Sequence, residues 1–223
     1  MSGARVAWAV LRKDLLLDLR SRDRAGHMGV FAFLVVALLS ITLPESPEAA
    51  GAWVPALLWI LLLLTSILGL ARSFAAESEA GAVATLAGVA CDRGWVFLGK
   101  AGANLIALLA LQLWVAVLAA VFLDVRWEAA GWRAAAVGAL GALGLASVGT
   151  LLAALSVSVR AREFLLPVLL FPLVLPVLVI CARLTAESLG GDPTPGLWWG
   201  VLGLYDWVFV LIGYFVFDHV LED

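Results

Sequence analysis

The sequence has 223 residues, of which 64% are hydrophobic and 14% charged, a balance that excludes a water-soluble fold with a polar exterior. A formal net charge of -3 likewise excludes a generally basic surface for nucleic acid, so what matters is where the 14 Lys and Arg residues sit. Cys91 and Cys181 lie far apart, with no CxxC or CxxCH, and indicate neither a disulfide framework nor a covalently attached haem.

Arg5 to Arg24 can form a helix with Trp8, Leu11, Leu15 and Leu19 on one face and Lys13, Arg20 and Arg24 opposite. The pattern predicts an amphipathic helix on the membrane surface, with Val6, Val10 and Leu17 off the main stripe and suited to pack on the protein. The apolar run that follows begins too far in for a signal peptide and leads to Glu45 and Glu48 rather than to a small-residue cleavage site, so it is expected to be a retained helix.

Runs long enough to cross a bilayer fall at Ala25 to Leu43, Gly51 to Leu70, Ala101 to Leu123, Ala134 to Val159, Phe164 to Ala182 and Leu197 to Phe217. Each is continuously apolar rather than alternating, and a backbone in lipid must satisfy its own hydrogen bonds. An all-α, polytopic membrane protein with six spans in a single domain is therefore predicted. Segments on alternate sides of these spans hold eleven and three of the Lys and Arg residues, which by the positive-inside rule puts both termini in the cytoplasm.

On that topology Arg72 to Lys100 is the longest cytoplasmic loop. It carries Glu77 and Glu79, a flexible Gly81, and Val83, Leu86 and Ala90 at helical spacing, a pattern suited to presenting acids and an apolar edge to a cytosolic partner. Trp95 and Lys100 are expected at the interface where the chain re-enters the membrane. The fourth span shows small residues at Gly138, Ala142, Ala146, Gly149 and Ala153, which predicts close helix packing within the subunit or across a dimer.

Pro167, Pro172 and Pro176 in the fifth span each remove a backbone donor, so a bent or hinged helix is expected, either structural or moving in a transport cycle. Asn104, Gln112 and Asp206 are the polar groups drawn inside spans. A shifted sixth span would return Asp206 to the outer interface but submerge Asp218 and His219, so the register with Asp206 near mid-span is preferred. His27 and His219 fall in different segments and offer no ligand pair, and Trp198 and Trp199 suit an aromatic belt. No catalytic or metal site is predicted. With no GxxxxGK[ST] or HExxH motif, any ATP hydrolysis must come from another chain.

Several pieces together resemble the permease-type haem exporter protein B (CcmB) family, within the broader set of ABC-2-like permeases. They are Leu11-Arg-Lys-Asp-Leu15, Phe74-Ala-Ala-Glu77 through Gly81, Phe97-Leu-Gly-Lys-Ala-Gly-Ala-Asn104 and Gly149-Thr-Leu-Leu152. Arg160-Ala-Arg-Glu-Phe-Leu-Leu-Pro167 with the proline-rich span, Tyr205-Asp-Trp-Val-Phe-Val210 and Phe217-Asp-His-Val-Leu-Glu222 complete the set. The resemblance implies a cytochrome c maturation role in a bacterial inner membrane, with a cytosolic CcmA-type ATPase, a haem-handling CcmC-type membrane protein, a small CcmD-type subunit and a periplasmic CcmE-type haem chaperone. It also implies that Glu77, Glu79, Gly81 and Leu86 lie in the loop that couples to the ATPase, with Arg160, Arg162 and Glu163 on the same side. Pro167, Pro172, Pro176 and Asp206 become hinge or gating candidates. ATP with Mg would then sit on the partner, and haem would be a possible cargo. The residues after Gly81, Ala82 to Ala90, are more Ala-rich than the family pattern. A permease for lipid or another hydrophobic cargo shares the same topology, and a passive scaffold for haem-handling proteins is the alternative of a different class.

Overall fold

A computed structural model of the protein describes residues 2–21, 23–43, 47–79, 93–155 and 162–220. These residues are almost entirely helical and contain no strand. The helices are α1 (Gly3–Ser21), α2 (Asp23–Thr42), α3 (Pro47–Glu79), α4 (Gly94–Phe122), α5 (Trp127–Leu155), α6 (Arg162–Ser188) and α7 (Leu197–Val220). All but α1 are long and apolar enough to cross a membrane, with spans at Ala25–Thr42, Trp53–Leu70, Gly94–Phe122, Gly131–Leu155, Leu166–Ser188 and Leu197–Phe217. Six spans are thus present, the number the apolar runs call for, with the third beginning at Gly94 rather than Ala101 and the fifth ending at Ser188 rather than Ala182.

Six passes bring α1, the end of α3, the starts of α4 and α6 and the end of α7 to one end of the bundle, called here the α1 end. At the opposite end α5 begins with a short turn from Trp127, and Gly131 (φ 54, ψ -148) breaks the direction before the span proper. Such a backbone setting is essentially open to glycine alone.

The centre of the bundle is α5, which packs against α3, α4, α6 and α7. Its sequence explains that position. Gly141, Ala142, Gly144, Ala146, Gly149 and Ala153 are all buried, and small residues let neighbouring helices approach closely where lipid supplies no hydrophobic drive. By contrast α2, at the periphery, keeps Val30, Leu34, Leu38 and Ile41 exposed, as a lipid-facing helix does. The small-residue stripe therefore packs within this subunit, each glycine opposite a side chain from another helix.

The expected amphipathic helix is present as α1, and it lies chiefly along α4. Off the stripe, Val6 and Val10 are buried but Leu17 is exposed; on it, Leu11 meets Gly102 of α4 whereas Trp8 and Leu19 are exposed. At helical rise the 29 residues of α4 measure roughly 44 Å, against about 30 Å of hydrocarbon, so there is helix to spare for α1 to cover.

Candidate functional site

Four glycines on α5 form a line of sockets. A Cβ on Gly138 would lie 3.1 Å from Gln112 Oε1 of α4, and one on Gly141 would lie 2.3 Å from the Trp59 ring of α3 and 2.8 Å from Cys181 Sγ of α6. At Gly144 the neighbour is Asp206 Oδ1 of α7, at 2.8 Å, and at Gly149 it is Leu70 of α3, at 2.3 Å. Side chains from α3, α4, α6 and α7 thus enter the glycine positions of α5.

Two hydrogen bonds tie this arrangement together. Trp59 Nε1 donates to Thr185 Oγ1 at 3.0 Å, joining α3 to α6, and Asn104 Nδ2 donates to Thr150 Oγ1 at 2.8 Å, joining α4 to α5. Both are buried, which spares polar groups an unsatisfied position in lipid. The other inserted polar groups are less provided for: Gln112 Nε2 and both Asp206 oxygens find no partner among the described residues.

The proline-rich α6 runs as one helix through Pro167, Pro172 and Pro176. Pro172 and Pro176 are exposed, while Leu170, Val174, Val177 and Cys181 are buried, so the side lacking donors faces away from the bundle. One turn before Pro176, where the proline loosens the ladder, the Leu173 carbonyl accepts a 2.8 Å hydrogen bond from the Tyr205 hydroxyl of α7.

At the α1 end, α1 is seated on α4 by two close approaches and an ion pair. Gly99 meets Ala7 O and Val10, Gly102 meets Leu11, and Lys100 between them reaches Asp14 Oδ2 at 3.4 Å. Lys100 is 1% exposed, and Asp14 also meets Lys13 at 2.9 Å. Lys100, expected at an open interface, is instead enclosed by α1, because its carboxylate partner arrives from a distant part of the chain. The small residues around it, Gly99-Lys-Ala-Gly102, are the sequence signal that this lysine lies in a helix contact. Beside this joint, α1, α2 and α4 leave an apolar groove of about 400 Å³ lined by Leu15, Leu19, Met28, Leu111 and Trp114, with Asp18 at its edge.

The far end is held by different contacts. Arg133 pairs with Glu187 at 3.2 Å, joining α5 to α6, and Thr194 donates a hydrogen bond to the same carboxylate. Trp199 is half-buried and packs against Trp132, with ring centroids 6.4 Å apart.

Of the remaining expected site residues, only four backbone positions are described, and they lie at the α1 end. The backbone of α3 carries Glu77 and Glu79, and that of α6 carries Arg162 and Glu163, but those four side chains, with all of Gly81, Leu86 and Arg160, lie outside the described residues. Asp206 is not brought to that end and belongs to the α5–α6–α7 contact, whereas the three prolines lie along α6, with Pro172 and Pro176 on its exposed side. Among the described residues, no group of three or more His, Cys, Asp or Glu side chains gathers to hold a metal.

Comparison with known proteins adds to this geometry. The sequence is 31% identical to heme exporter protein B of Rhodobacter capsulatus over 183 residues, covering 82% of this chain and 84% of the relative. To heme exporter protein B of Paracoccus denitrificans it is 31% identical over 193 residues, covering 85% and 87%. The CcmB protein family matches residues 5–223, the whole bundle from α1 onward. With six apolar spans and this match, the chain is a multi-pass membrane protein belonging to the CcmB family.

Proposed function

We propose that this chain is the permease subunit of an ABC-type haem exporter complex acting in cytochrome c maturation. The observation that carries the reading is the family match over residues 5–223, which takes in every helix of the bundle. The chain works in a bacterial inner membrane with both termini cytoplasmic, an orientation supported by the sequence segments on that side of the spans holding eleven of the 14 Lys and Arg residues.

Energy comes from ATP hydrolysed on a separate CcmA-type subunit. Its motion enters through the segment containing Glu77, Glu79, Gly81 and Leu86, with Arg160, Arg162 and Glu163 alongside. The length of α3 supports this: 33 residues span roughly 50 Å, well beyond the hydrocarbon thickness of about 30 Å, so Glu77 and Glu79 stand on the same helix as Leu70 and Trp59. Leu70 enters the Gly149 socket and Trp59 both the Gly141 socket and the bond to Thr185, so a push on the end of α3 reaches α5 and α6 directly. Pro167, Pro172 and Pro176 then serve as the bending points of α6.

Two copies of this chain form the permease, with CcmC-type and CcmD-type membrane partners and a CcmE-type periplasmic chaperone. The driven step is haem export or release of the haem-loaded chaperone. Changing Glu77 and Glu79 together to Lys is expected to abolish co-purification of the ATPase subunit and to bring the haem content of c-type cytochromes down to that of a deletion strain. Unaltered co-purification with normal haem loading would remove the coupling role. Normal c-type cytochromes in the deletion strain itself would remove the maturation role and leave a permease for another hydrophobic cargo.

A further inference from the structure

The middle of the bundle holds an acidic group that the coupling route above does not use. Asp206 lies nine residues into α7, roughly 14 Å from the start of that helix, close to the midplane of a hydrocarbon core about 30 Å thick. It is 2% exposed, and neither carboxyl oxygen has a hydrogen-bond partner among the described residues.

Its surroundings come from three helices. On α5 it meets Gly144, which brings no side chain and lets Oδ1 press close to the backbone; Val177 on α6 borders the same spot. The titratable neighbours are Cys181 on α6 and Tyr205 on α7 itself, and the Tyr205 hydroxyl is committed to the Leu173 carbonyl. The contacts of α4 with α7 lie nearer the α1 end, at Trp95–Tyr214 and Phe97–Phe217. Both titratable neighbours are neutral or negative, never positive, and no described cation faces the carboxyl group. An ionised carboxylate in such a place carries an uncompensated charge in a low dielectric, whereas the neutral acid buries only a hydroxyl and a carbonyl.

We propose that Asp206 is a proton-binding site at the centre of the bundle, holding its proton while α7 rests on α5 and releasing it when that contact opens to water. This assignment stands on the packing of α5, α6 and α7 and does not depend on the transport reading.

Infrared spectroscopy of the purified full chain tests it. At neutral pH the protonated-carboxyl carbonyl band is expected in the unchanged protein and absent from Asp206→Asn; coincident spectra in that region would overturn the proposal. Stability against pH gives a second reading. The folded form holds one proton that the unfolded chain releases, so raising the pH favours unfolding. Above about pH 4, the ordinary range of an unfolded aspartate, the folding equilibrium of the unchanged protein is expected to fall about tenfold per pH unit relative to Asp206→Asn, until the folded form itself ionises. A deficit of Asp206→Asn that is constant across pH would mean an ionised, partnered carboxylate and would also overturn it. Should the variant fail to assemble, carbon-13 labelling of aspartate in the unchanged chain reads the same band. Asp206 is the one described aspartate that is buried, and a label showing only ionised carboxylates at neutral pH counts against the proposal.

Discussion

Asp14 and Asp206 each lie where a helix carrying closely packed glycines meets a neighbour, Asp14 where α1 lies on α4 and Asp206 where α7 lies on α5, and only Asp14 meets a cation. Gly99 and Gly102 bring α1 close to α4, and Lys100 places a positive charge 3.4 Å from Asp14 Oδ2 at the contact. Gly144 gives Asp206 the same closeness with no charge to match. The difference teaches that close packing and charge compensation are separate devices here. The α1 contact combines both and is an electrostatically fastened joint near one end; the α7 contact uses packing alone and leaves an acid whose state depends on whether the helices stay together.

That contrast breaks first at Asp14. Asp14→Asn takes the carboxylate away from a buried Lys100 and should cost about 2–3 kcal/mol, somewhat less than a fully buried pair because Asp14 keeps some exposure. Hydrogen exchange should then rise along Gly3–Ser21 while α3, α5 and α6 stay protected; a uniform rise would show that α1 is not a separable joint. Next in size, Gly141→Ala drives a methyl into the Trp59 ring and should cost about 1–3 kcal/mol. Gly203→Ala, where nothing lies within 4 Å, should leave the unfolding midpoint in detergent unchanged. Equal losses at the two positions would dissolve the distinction between a socket and an ordinary helix glycine. The smallest effect belongs to Asn104→Ala, about 0.6 kcal/mol as is usual for a hydrogen bond between membrane helices, with Thr150→Ala adding little once Asn104 is gone. A double-mutant cycle with strictly additive losses would show the pair to be uncoupled.

The six spans were legible in the sequence because each is a continuous apolar run, and continuity is a local property. The start of α4 was not. Arg93 and Lys100 dilute the apolar signal, and the group that makes Lys100 tolerable in the packed helix is Asp14, 86 positions earlier. For the same reason Lys100 read as an interfacial residue although α1 covers it. The bare face of α5 could be read as a packing surface from Gly138 to Ala153, but which side chain would enter which gap depends on four other helices. Asp206 stood out as a costly group near mid-span; that it faces Gly144 and lacks a partner required the fold. On α1 the off-stripe Val6 and Val10, expected to pack on the protein, are buried, with Val10 over Gly99, but Leu17 is exposed and the stripe divides, Leu11 meeting Gly102 while Trp8 and Leu19 stay exposed.

The sockets on α5 also bear on how the chain is put together during synthesis. A helix apolar on all sides enters the bilayer without information about its rotational setting, since lipid receives every face alike. A turn of α5 by one residue, about 100°, would carry its glycines out of line with Gln112, Trp59, Asp206 and Leu70 at once and set bulkier side chains against them. Voids where atoms are missing thus act as a rotational key, and α5 proofreads the assembly of its neighbours by shape rather than by bonding.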